Sequence, residues 1–143
     1  MIVHAMRFDG DEVVMSESAT LDDVLRWVEA LDGENNTIVA VGLGDGRSGE
    51  VSGGSDGRYK VSVRMGGRLY DMGSGVSNSY ERVPLADCDD LCFYPAKYIV
   101  ALDQALAAKR HFCATGELSP EFTWSDAADC FPDEPDARFG AEP

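Results

Sequence analysis

Hydrophobic and polar positions follow two rhythms along this chain. Ile2 to Phe8 is short and apolar-rich and predicts a first strand, with Asp9-Gly10-Asp11 as a turn and Val13 to Met15 pairing back as a second strand. Thr20 to Leu31 then shifts to helical spacing: Leu21, Val24, Leu25, Val28 and Leu31 line one face, with Trp27 beside it. Thr20 and Asp23 make a capping-box pair, Asp22 and Asp23 suit the positive end of the helix dipole, and Gly33 stops the helix.

Thr37 to Val41 is a β-branched run that reads as a buried strand. Gly42 to Gly57 holds seven glycines in sixteen residues, and the expectation is a loop or an irregular, mobile hairpin connection. Arg58 to Met72 reads as a hairpin turned by Gly66-Gly67, with Val63 facing Tyr70 and Val61 facing Met72 on the core side. Asn78 to Val83, ended by Pro84, and Leu91 to Tyr94 read as further strands. Pro95 to Thr115 reads as the second helix, with an apolar stripe of Tyr98, Leu102, Ala105 and Phe112, flanked by Ile99 and Leu106. Lys109, Arg110 and His111 fall in its last turns, where the dipole favours cations, and Gly116 closes it. Glu121 to Trp124 reads as a last strand whose Trp124 faces the core. The order of elements predicts an α+β fold: a mostly antiparallel sheet of about five to six strands with two main helices packed on it.

Composition narrows the function. The chain has 143 residues, with 12 Lys+Arg against 26 Asp+Glu and a formal net charge of −14. Such a balance argues against binding a phosphate backbone or an anionic membrane and is compatible with a basic protein partner. No run approaches the ~18 apolar residues of a membrane span, and the first residues carry no basic n-region or apolar h-region. The expected compartment is the cytoplasm, with Cys88, Cys92, Cys113 and Cys130 as reduced thiols. Residues 1–124 are expected to form one domain. Residues 125–143, with six acids, one base and three prolines, are expected to form an acidic tail, docked by Phe131 or Phe139 if at all.

The candidate chemistry is thin. Gly44-Asp45-Gly46-Arg47-Ser48-Gly49 matches G-x-G-x-x-G, but Glu50-Val51-Ser52-Gly53-Gly54 does not open the helix that a phosphate cradle requires. Cys88-x₃-Cys92 with His111-x-Cys113 could supply four soft ligands but lacks the tight knuckle spacing of structural zinc. His111 at a helix C-terminus suits a cation better than a general base, and His4 stands alone in the first strand. Asp87, Asp89 and Asp90 lack the alternation of a calcium loop; they read either as a solvated loop or as an electrostatic contact for a basic partner. No catalytic group, metal or cofactor is expected.

The stretch Tyr98 to Trp124, YIVALDQALAAKRHFCATGELSPEFTW, resembles the closing signature of a family of immunity proteins from bacterial polymorphic toxin systems. Phe112, Thr115-Gly116, Pro120 and Trp124 match its landmarks: an Ala-rich helix ending in an aromatic residue, Thr-Gly, a proline, and a strand ending in Trp. The resemblance implies a small cytoplasmic α+β protein that binds one toxin domain, such as a nucleic-acid deaminase or nuclease, and blocks its active site. The implied partner is basic and acts on nucleic acid, whereas this chain binds neither nucleic acid nor membrane. Asp45, Glu50 and Asp56 in the Gly-rich stretch, with Asp87, Asp89 and Asp90, are the expected contacts. The competing expectations are a small Cys- or carboxylate-dependent enzyme reversing a toxin's modification, and an acidic adaptor domain.

Overall fold

The computed structural model describes residues 2–87 and 90–129, with Asp87 and Asp90 placed through their backbone. Nine strands and two α-helices run in the order β1 (His4–Asp9), β2 (Glu12–Ser16), α1 (Leu21–Glu29), β3 (Ile38–Gly44), β4 (Arg47–Gly53), β5 (Tyr59–Met65), β6 (Arg68–Met72), β7 (Arg82–Asp87), β8 (Asp90–Pro95), α2 (Leu102–Thr115) and β9 (Trp124–Asp126). Seven strands form one sheet in the order β2-β1-β3-β4-β5-β6-β9, and β7 and β8 form a separate two-stranded sheet. Every strand pairing is antiparallel. The α+β class holds, with more strands than the five to six expected.

The additional strand in the main sheet comes from the Gly-rich stretch, which is an ordered hairpin and not a loop. Asp45 and Gly46 sit at φ of 53° and 74°, the positive pair that a two-residue hairpin turn demands. β4 therefore folds straight back on β3 and is hydrogen-bonded on both sides, by β3 and by β5. Glycine count misleads here because β4 has a use for a missing side chain. A Cβ on Gly49 would stand 2.9 Å from the ring carbons of Phe112, so the bare backbone lets α2 lie directly on the sheet.

The β5–β6 hairpin has the expected register, Val63 opposite Tyr70, across Gly66-Gly67. Helix α1 also follows its sequence. Thr20 caps it, and the Thr20 amide donates to Asp23, holding that carboxyl below the usual carboxylate range. Val24, Leu25 and Val28 are buried, while Trp27 is half-buried under the guanidinium of Arg7.

Three boundaries differ from expectation. The second helix starts at Leu102, not near Pro95. Pro95 ends β8, Ala96–Tyr98 make one 3₁₀ turn, and Val100 bridges to Tyr59, so Tyr98 fills the core from outside the helix. The strand expected at Asn78 to Val83 begins at Arg82 and runs through Pro84. Upstream of it, hydroxyls of Ser74, Ser77 and Ser79 accept from the amides of Ser77, Ser79 and Glu81 and satisfy that backbone locally. Pro84 is tolerated because a two-stranded sheet leaves one side of each strand without a ladder. The last strand lies at Trp124–Asp126, paired with β6, two residues beyond the sequence estimate.

Both helices pack on one face of the large sheet, over Ala5, Val39, Val41, Val51, Val61 and Met72. The opposite face is only partly covered, by the β7–β8 hairpin. Beneath it lies a polar row. Lys60 Nζ sits 2.6 Å from Asp71 Oδ1 and 2.7 Å from Ser62 Oγ, Ser62 donates to the same carboxylate oxygen, and the Tyr94 ring lies 4.5 Å from the ammonium. Both Lys60 and Asp71 are buried.

Lys109 is a further correction. It does not decorate a helix end. It is wholly buried on the inner face of α2 and its Nζ donates to the Gly49 carbonyl at 2.7 Å. Burial pushes its ammonium down to about 8. The unfolded chain therefore holds more protons between about pH 8 and the ordinary lysine range, so stability rises with pH across that window. Relative to Lys109→Met, the wild type is expected to gain up to about 3 kcal/mol between pH 7 and pH 10. Urea denaturation of both proteins checks this; a constant difference across the window contradicts it.

Candidate partner-binding surface

The six acids singled out in the sequence do not form one cluster. Asp45 is exposed at the tip of the β3–β4 turn. Asp56 is exposed at the other end of β4, in the one-turn 3₁₀ helix Ser55–Gly57, again with a positive φ. Glu50 lies midway along β4, half-buried, and pairs across to Ala40 and Ser62 on the face away from the helices. The backbones of Asp87 and Asp90 are register partners at the end of the β7–β8 ladder. Asp89, like Cys88, Cys130 and the rest of the stretch read as an acidic tail after residue 129, lies outside the described residues.

One of these positions, Asp56, lines a cavity. A small cavity of ≈ 190 Å³ opens between Gly33, Asp56 and Arg58 on one side and Leu85, Ala86 and Leu91 on the other. Its wall at Gly33 is set by Asp32, whose Oδ1 accepts from the amides of Glu34, Asn35 and Asn36; the Glu34 amide chiefly holds that carboxyl below its ordinary range. Leu91 is 62% exposed on the rim. The arrangement is a small notch with an apolar wall of Pro84, Leu85, Ala86 and Leu91 and a polar wall that carries one acid, Asp56, and one cation, Arg58.

The remaining candidates separate in space or in role. Gly49, last residue of the G-x-G-x-x-G match, lies inside a strand, so no helix N-terminus faces a phosphate there. Cys113 is buried against the core, and burial raises its thiol above the ordinary value. His111, two residues away, instead lines a shallow groove of ≈ 480 Å³ on the outer side of α2 with Ala107, Arg110, Ala114 and Pro120. His4 is exposed in β1, with its ring over Gly42.

The landmarks near the C-terminus are architectural. Phe112 is buried under the sheet. Thr115 Oγ1 donates to the His111 carbonyl and accepts from the Glu117 amide, while Gly116 ends the helix in the left-handed conformation. Arg47 reaches across from β4 to the Gly116 carbonyl at 3.1 Å. Trp124 Nε1 donates to the Ser119 carbonyl at 3.0 Å, so the turn after α2 is pinned by the strand that follows it.

This helix–glycine–turn–tryptophan closure, set on an antiparallel sheet, lies within a continuous match: residues 9–126 match the family described as immunity protein Imm1. The chain belongs to the Imm1 family. No curated protein matches it. The Imm1 match takes in both helices and seven complete strands, with the last residue of β1 and the whole of β9 at its two ends. No described helix of this Imm1 protein is long and apolar enough to cross a membrane.

Proposed function

We propose that this Imm1 protein neutralises a cognate bacterial toxin by binding it directly and covering its active site or substrate channel. The observation that carries the reading is membership of an immunity protein family over residues 9–126. It is an inhibitor and not an enzyme on this reading, and it uses no cofactor. The net charge of −14 supports a basic partner built to hold DNA or RNA, such as a deaminase or nuclease of the polymorphic toxin systems. Acidic side chains speed encounter with such a partner and exclude its polyanionic substrate. Asp45, Glu50, Asp56, Asp87, Asp89 and Asp90 are the proposed contacts, and the cytoplasm the proposed compartment, where a nucleic-acid toxin would act.

Affinity capture from the native organism at low and at moderate salt tests this. One dominant, basic, toxin-like partner is expected. Reversing the exposed charges in Asp45→Lys/Asp56→Lys is expected to slow association at least tenfold at low salt, with the difference shrinking as salt rises. Many weak partners, or none, sink the reading.

A further inference from the structure

The two edges of the large sheet are unlike. β9 is three residues long, as protected edges commonly are. β2 has five residues, Glu12-Val13-Val14-Met15-Ser16, with no lysine, proline or bulge to blunt it. Among the described residues no strand pairs with its outer side. Val13 is 54% exposed and Met15 61%. They sit directly opposite Phe8 and Met6 in the β1–β2 register, so the four side chains make an apolar strip on the face away from the helices. Beside the strip lies an open concavity of ≈ 630 Å³ lined by Val3, His4, Met15, Ser16 and Glu17.

We infer that the outer edge of β2 takes an extended, basic segment of the partner as an eighth strand of the sheet, an inference that rests on the toxin-binding reading above. Strand addition supplies affinity through the backbone ladder and specificity through alternate side chains, and β2 presents both. Every charged residue from 9 to 18 is acidic: Asp9, Asp11, Glu12 and Glu17. A lysine or arginine of the incoming strand lays its stem on Val3 and Met15 and brings its head to Glu17.

Charge also disfavours the two other occupants. A second copy pairing antiparallel with β2 would set Glu12 against Glu17 when centred between Val14 and Met15, or Asp11 against Glu17 when centred on Val14. The chain's own residues 130–143 carry four acids and one arginine and meet the same repulsion.

The test is a fluorescence-anisotropy titration of the full chain with an alternating lysine–valine decapeptide. An alternating glutamate–valine decapeptide and a lysine–valine peptide N-methylated along one backbone edge serve as controls. Amide exchange across residues 12–16 is followed in parallel. The basic peptide is expected to bind and to slow exchange in β2, and the two control peptides to fail. Val13→Lys/Met15→Lys is expected to weaken binding at least tenfold; Val76→Lys, in an exposed loop far along the chain, is expected to leave it unchanged. The inference is overturned if the double variant binds as the wild type does, if the outward-facing amides of β2, those not bonded to β1, are already protected in the free monomer, or if their protection tracks a concentration-dependent dimer. The captured toxin separates the two readings. Failure to find one removes the immunity reading while the peptide titration still stands. A toxin that binds Val13→Lys/Met15→Lys at full strength removes the edge inference and leaves the immunity reading intact.

Discussion

Replacing Asp71 with alanine is expected to cost about 3–5 kcal/mol of stability, since it removes the carboxylate that meets the buried Lys60 ammonium. Lys60 and Asp71 have side chains only 3% and 1% exposed and meet at 2.6 Å. With the carboxylate gone, the ammonium keeps its contacts with Ser62 and the Tyr94 ring, neither of which carries a compensating negative charge. The pair itself is not expected to be strongly stabilising. Asp71 Oδ2 is buried with no hydrogen-bond partner, so the desolvation of this carboxylate is incompletely offset. The double variant Lys60→Met/Asp71→Leu is accordingly expected to recover most of what the single variant loses. Urea denaturation of the three proteins decides it. A loss below about 1 kcal/mol for Asp71→Ala would show that the row is hydrated and the β7–β8 cover loose.

Phe112→Ala is expected to cost a similar amount, about 3–5 kcal/mol, by a different route. The ring is 2% exposed and fills the space that Gly49 leaves open on β4. Truncation removes apolar contact and leaves a void between α2 and the centre of the sheet. Because Gly49 has ordinary backbone angles, its constraint is one of space alone, and the two positions should couple. Gly49→Ala is expected to destabilise the wild type, where the new methyl meets the ring at 2.9 Å, and to stabilise Phe112→Ala, where it enters the void. Additive effects would mean that α2 re-seats freely on the sheet. Amide exchange should quicken in α2 more than in α1 when Phe112 is cut back.

These residues mark where sequence reading reached its limit. Helix α1, with its Thr20–Asp23 cap, and the Gly66-Gly67 hairpin were legible because their determinants lie within four residues of each other. The Gly-rich segment was misread because Gly49 answers to Phe112, sixty-three positions away, and no local rule contains that distance. Lys109 looked like a helix-end cation for the same reason; its partner, the Gly49 carbonyl, is supplied by another layer. Of the candidate surface, the exposure of Asp45 and Asp56 was readable from the turn residues around them. The separation of Asp45 and Asp56 to opposite ends of β4 was not, because it depends on which strands pair. The free edge of β2 was equally hidden: only the strand order reveals that Val13 and Met15 lie at the rim.

The late position of α2 in the chain has a consequence for synthesis. Strands β3 to β6 pair with their neighbours in sequence and need no distant loop to close, so this meander is complete before the second of its two covering helices exists. About fifty residues separate the end of β5 from the end of α2. At ordinary ribosomal speeds the part of β4 and β5 on which α2 will pack then waits roughly 3–10 s for that helix on each nascent chain. An immunity protein is useful only if it is ready when the toxin arrives. That interval makes its supply depend on how well the cell shields an unfinished sheet.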